Sequence, residues 1–212
     1  MYHSGLCYGP PRVANHQEES CEARRRKSRA GERARSVAAL SRARREGGGP
    51  IRLQIAGLED SALLPAKDAG NNRQNPNCVG DNISPPLAWS DPPEGTKSFA
   101  LLLFDPEGRG GLGVSHMVTY GILASVTGFA EGELSNPADK YVGGKSTPGL
   151  ATYFGPCTPP GDWHHYTFTL IATDLDPKAL QPGMTREELF AALNGHTKGV
   201  SAQDRNGTGR AK

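Results

Sequence analysis

The sequence predicts a mostly β fold: an antiparallel β-sandwich with a short helix near its C-terminus and a disordered basic N-terminal tail. Three observations carry this reading. Glycine and proline supply 27 and 17 of the 212 residues, so the chain is rich in turns. From residue 51 onward, short alternating or continuous apolar runs are punctuated by Gly, Pro, Asn and Asp, the pattern of strands joined by turns. Only one segment carries the end signals of a helix.

Taken in order, IRLQIAGL reads as a first strand with Ile51, Leu53 and Ile55 on one face. SFALLLFD, from Ser98 to Asp105, is the strongest buried strand. VSHMVTYGIL, from Val114 to Leu123, follows it. In HYTFTLIATDL, from His165 to Leu175, Tyr166, Phe168, Leu170 and Ala172 alternate with Thr167, Thr169 and Ile171. TREELFAALNG opens on Thr185 with Glu188 three residues later, a capping box. It continues through Leu189, Phe190 and Leu193 and stops at Gly195. The chain shows no internal repeat.

The net charge of +2 hides a division. Residues 1–50 carry 11 Lys/Arg against 5 Asp/Glu, and residues 51–212 carry 13 against 17. With RRRKSR at Arg24–Arg29, RARREGGG at Arg42–Gly49 and almost no large apolar residue between Leu6 and Leu40, the tail has too little to bury to offset its ordering entropy. The expected organisation is therefore a disordered Arg-rich tail over 1–50 and one domain over 51–212. A solvated extension is the plain reading of the tail. The functional ones are a nucleic-acid or acidic-surface arm, or an organelle-targeting segment, against which Glu18, Glu19, Glu22, Glu32 and Glu46 count. A short helix over Glu32–Arg45 would lack a clear apolar stripe. The apolar stretch Phe99–Phe104 is far shorter than the roughly 20 residues of a membrane helix. Val37–Leu40 is too short and too late for a secretory signal. The expectation is a cytoplasmic protein without a transmembrane segment.

GRGGLG, Gly108–Gly113, matches G-x-G-x-x-G after a strand, but a dinucleotide site needs a helix to open there. Val114–Tyr120 are strand formers, so the glycines read as a flexible link between strands. A stronger signal is a set of turns at strand ends: DNISPPLAW (Asp81–Trp89), FDPEG (Phe104–Gly108), SHMV (Ser115–Val118) and FGPCTPPGDWHHY (Phe154–Tyr166). Pro85, Pro86, Pro156, Pro159 and Pro160 stiffen these loops and make cis peptides accessible. Asp105 and Glu107, two apart in an extended segment, share a face. His116 starts one strand, and His164 and His165 start another. Loops meeting at one end of the sandwich would make a pocket of carboxylates and imidazoles. Singly, such residues are more often turn aspartates and surface histidines. Two histidines and a carboxylate could instead hold Zn or Fe, though the helical spacing and C-x-x-C pairs of common metal sites are missing. Cys157 could act as a nucleophile with His164 as its base. Cys78 and Cys157 are expected close together at this end of the sandwich, and reduced in the cytoplasm.

The ordered set NISPPLAW, SFALLLFDPE, a His-led strand, YFGPCTPPGDWHHY and a late helix resembles the phosphatidylethanolamine-binding protein family over Ile51–Gly195. More narrowly it resembles the bacterial Raf-kinase-inhibitor-like, YbhB/YbcL-like branch. The resemblance implies two antiparallel sheets with a small anion pocket at one end, able to take phosphate or a phospholipid head group, and a regulatory role toward a kinase or protease. By resemblance, Asp105 and Glu107 match the acids of the family's D-P-D-A-P motif and His116 its H-W-V histidine. Gly155 and Pro156 match its G-P-x-P-P turn, and His164 the histidine of H-R-Y. This sequence departs from the pattern at Glu107, at Gly108-Arg109 in place of Ala-Pro, at Met117 in place of Trp, and at Thr158 within the turn. His165 stands in place of Arg, and Gly209 falls where the family has an aromatic residue. HTKGVSAQDRNGTGRAK, after Gly195, is far more polar than the family's closing strand.

The expected ligand set is Asp105, Glu107, His116, Gly155, Pro156 and His164. A phosphate would accept hydrogen bonds from protonated His116 or His164 and from backbone N–H groups. Asp105 would raise the pKa of a neighbouring imidazole. Without an evident nucleophile, no catalytic residue, metal or cofactor is expected. A binding module is favoured over a small hydrolase using the His and acid cluster, and over a nucleic-acid-associated protein acting through the tail.

Overall fold

The computed structural model describes residues 50–161 and 163–206. The Arg-rich tail, the segment Glu32–Arg45 where a short helix is expected, and Gly209 lie outside the described residues. Among the described residues, eight strands form two antiparallel sheets. In the smaller, β1 (Arg52–Ile55), β2 (Leu87–Ser90) and β5 (Gly128–Phe129) lie in the order β1-β2-β5. In the larger, β3 (Ser98–Asp105), β4 (Val114–Leu123), β6 (Val142–Gly143), β7 (His165–Thr173) and β8 (Thr197–Asn206) take the order β6-β4-β3-β7-β8.

The expected strands follow from their patterns. Leu53 and Ile55 of β1, with Leu87 and Trp89 of β2, face Phe99, Leu101, Leu103, Phe168 and Leu170 of the larger sheet, and this is the core between the layers. The central strand β3 also turns Ala100 and Leu102 to the sheet's other face, where Leu189 and Leu193 of α1 (Arg186–Leu193) cover them. Apolar cover on both faces is why SFALLLFD is continuously apolar rather than alternating. The capping box is made: the Thr185 side chain accepts from Glu188 N, and the Glu188 carboxyl accepts from Thr185 N.

Three features differ from expectation. The polar stretch after Gly195 is a ten-residue strand, β8, paired along the length of β7. It is an edge strand that needs only its backbone ladder and one sheltered face, so its side chains are polar. Arg205 is fully buried there, donating to Leu58 O, Asp204 O and Gln203 Oε1. LAWS, read within a turn, is strand β2, with Leu87 and Trp89 inward and Ala88 and Ser90 exposed. The Gly108–Gly113 link holds a single helical turn over Gly108–Gly111, with Arg109 and Gly110 left-handed at φ 55° and 68°. The prolines adopt no cis peptide among the described residues.

Two irregularities position the site. A register shift between Leu103 and Phe104 in the β3–β4 pairing turns the end of β3 just before Asp105. Gly108 lies so close that a Cβ would come 2.6 Å from Val114 Cγ2 and 3.0 Å from Asp105 Oδ2. Only glycine lets the chain fold back under the carboxylate.

Candidate ligand pocket

A cavity of about 590 Å³ opens at this end of the larger sheet, lined by Asp105, Glu107, Arg109, His116, Phe154 and His164 among others. β3 delivers Asp105, β4 His116, the Phe154–Pro159 loop one wall, and the start of β7 His164 and Tyr166.

Asp105 is buried and fully engaged. Gly108 N donates to its Oδ1 at 2.9 Å, and His164 Nδ1 donates to its Oδ2 at 2.8 Å. This leaves Nε2 as the remaining polar atom of His164, on a ring that lines the cavity. Asp105 therefore orients His164 rather than His116.

His116 is different. Its Nδ1 donates to Phe154 O at 2.8 Å, and its ring stacks on Phe154 and meets Tyr166 edge-on. A carbonyl only accepts, so Nδ1 carries a proton, and in the neutral ring Nε2 keeps a lone pair. Burial pushes the imidazole below its ordinary range despite the Phe154 carbonyl, which pulls the other way. Of the two imidazoles expected to donate when protonated, His116 is the one whose cation burial disfavours.

Glu107 stands at the rim with both carboxylate oxygens occupied, accepting from His165 N and His165 Nδ1, each at 2.9 Å. Burial alone would raise its pKa, and the two His165 bonds outweigh that and lower it. His165 thus serves as partner to the rim acid. Tyr166 and Thr158 share a hydrogen bond of 2.8 Å, and burial raises the Tyr166 hydroxyl, which stays protonated.

Gly155 and Pro156 are not on the cavity surface but behind it. Gly155 N donates to Asn82 Oδ1 at 2.8 Å, Pro156 O accepts from Gly70 N at 2.8 Å, and a Cβ on Gly155 would fall 2.0 Å from Asp68 O. They hold the wall against the 68–82 segment. Cys157, on that wall, is bonded to Cys78, with Cα atoms 4.4 Å apart. The expected proximity holds, while the expected free thiols do not. A bonded sulfur is no nucleophile, which removes the Cys157–His164 reading. Among the described residues, no group of three or more His, Cys, Asp or Glu could hold a metal.

Sequence reasoning missed Asn75, Arg109 and Phe154 as lining residues. Arg109 carried a legible signal, a cation two residues after Glu107 in a glycine-rich turn. Asn75 carried none.

A model described as phosphatidylethanolamine-binding protein matches residues 57–203. The UPF0098 protein of Methanothermobacter thermautotrophicus is 37% identical over 136 residues, 62% of this chain and 87% of that protein. The UPF0098 protein YbhB of Escherichia coli K12 is 39% identical over 123 residues, 56% of this chain and 75% of YbhB. The crystal structure of E. coli YbcL, described as a new member of the mammalian PEBP family, superposes with a TM-score of 0.67 at 26% identity, covering 74% of this chain and 98% of YbcL.

Proposed function

Because the chain belongs to the phosphatidylethanolamine-binding protein family, in the branch of YbhB and YbcL, we propose that it binds a small phosphate-type anion, free or as a phospholipid head group, in the cavity beside Asp105 and His164. The observation that carries this is the Asp105–His164 pair. With Nδ1 engaged by the carboxylate, the ring turns a single nitrogen to a ligand, and protonation there makes it a charge-assisted donor to an oxyanion. Asp105, Glu107, His116 and His164 surround the ligand, while Gly155 and Pro156 act through the wall they support. Arg109 adds a cation at the rim.

A binding module fits this cavity better than a hydrolase, since the thiol that could have served as nucleophile is bonded to Cys78. A regulatory role toward a kinase or protease would follow if a bound anion reshaped the Gly108–Gly113 turn at the cavity mouth. No helix among the described residues is long and apolar enough to cross a membrane. The Cys78–Cys157 bond favours an oxidising compartment over the cytoplasm expected from the sequence. The nucleic-acid reading rests on the Arg-rich tail, outside the described residues.

The test is a titration of ¹⁵N-labelled protein with phosphoethanolamine. Saturable shifts at Phe154 and Tyr166 are expected, weakened about tenfold or more in His164→Ala, the loss of one charge-assisted bond. Binding that leaves those amides unmoved would overturn the proposal.

A further inference from the structure

A second cavity, of about 450 Å³, lies where the Gly108–Gly113 turn and the 145–147 loop meet the first turn of α1, and it shares only Arg109 with the pocket above. Its walls carry three cations, Arg109, Lys145 and Arg186, against one acid, Glu187. The nearby Glu188 is committed to the helix cap, accepting from both Thr185 N and Thr185 Oγ1.

The Arg186 guanidinium carbon lies over two aromatic rings, 4.2 Å from the Phe104 centroid and 4.6 Å from that of Phe190. These cation–π contacts leave the guanidinium its N–H groups to meet an acceptor. Among the described residues its one acidic contact is a 3.4 Å approach to Glu187 Oε1, at an exposed side chain. Arg109 and Lys145 form no ion pair among the described residues.

Two hydroxyls complete the wall. Thr147 Oγ1 accepts from Ser115 N at 2.9 Å, and Ser146 Oγ accepts from Leu150 N at 3.0 Å. Each oxygen is oriented by a backbone N–H, so each O–H is left to donate.

We propose that this cavity is a second oxyanion site, one that takes a phosphate group through Arg186, Lys145 and Arg109 with the Ser146 and Thr147 hydroxyls as donors. The first pocket balances imidazoles with acids, whereas this one has an excess of fixed cations, so it selects the more highly charged phosphate dianion. Arg109 borders both cavities. The site stands apart from the proposed function, because only Arg109 belongs to both.

The experiment uses the full chain, ¹⁵N-labelled and titrated with inorganic phosphate at constant ionic strength. The Ser115 and Thr147 amides should shift saturably, with affinity about tenfold or more weaker in Arg186→Gln. Lys145→Gln, at an exposed side chain, should weaken them in the same direction. His164→Ala should leave them unchanged, so failure of the first pocket is distinguishable from failure of this one. Co-sedimentation with phosphatidylcholine vesicles, with and without phosphatidic acid, separates a membrane phosphate from a free one. Vesicle binding that needs phosphatidic acid and is lost in Lys145→Gln assigns the site to a lipid, and response to inorganic phosphate alone assigns it to a soluble ligand. Ser115 and Thr147 amides that do not saturate, or that respond equally in both cavity variants and the parent, would overturn the site.

Discussion

Asp105 Oδ2 and His164 Nδ1 lie 2.8 Å apart although 59 residues separate them in the chain. The carboxylate fixes which ring nitrogen faces the ligand, and so determines how binding couples to protons. While Nδ1–H donates to Asp105, Nε2 can meet an anion only after gaining a proton. Anion binding therefore takes up a proton and tightens as pH falls.

Sulfate, whose charge is constant near neutrality, isolates this effect from the ligand's own titration. Its affinity should rise as the solution is acidified, because contact at Nε2 requires a proton there. In Asp105→Asn the amide donates to Nδ1 and moves the neutral ring's proton to Nε2, so the slope should flatten. Calorimetry at several pH values reads both, and equal slopes in parent and variant would count against the coupling.

Asp68 is 1% exposed and its Oδ1 has no hydrogen-bond partner. Burial, only partly offset by Lys67, pushes its carboxyl up to about 6. An unfolded Asp titrates near 3.9, so the native state holds the extra proton between those values and stability falls as pH rises through that window. Asp68→Asn should remove the penalty, gaining up to about 3 kcal/mol at pH 7 and nothing below about pH 4. Urea unfolding at several pH values checks this, and parallel curves for parent and variant would refute it.

The Cys78–Cys157 bond closes a loop across a sequence separation of 79. A closure of that length stabilises by about 4 kcal/mol on chain entropy, which for a domain of this size is roughly 10 °C in melting temperature. Dithiothreitol should lower the midpoint by that amount, and the Cys78→Ala/Cys157→Ala double variant should melt low with or without it. A parent midpoint indifferent to reductant would mean the bond does not form.

Among the described residues, buried packing starts at Ile51, in the core with Leu53 and Ile55. A chain beginning at Gly49 is expected to keep the full chain's melting temperature. A fall of more than a few degrees in a thermal scan would place the domain boundary upstream.

Strands β1, β3, β4 and β7 and helix α1 were legible because their signals are local: alternation along a strand, and Thr185 with Glu188 at a helix start. The turn residues around Asp105, His116 and His164 were legible as a set, through their order along the chain. The sequence could not disclose β8, since an edge strand supported by its backbone ladder carries no apolar period. Nor could it show that Glu107 answers His165, that Cys157 is bonded, or that burial disfavours a His116 cation. Each of those depends on a neighbour brought in by sheet pairing and on the loss of water around it. Hydrogen-bond partners and desolvation are properties of position in three dimensions, and they, more than residue type, set the charge each site residue carries.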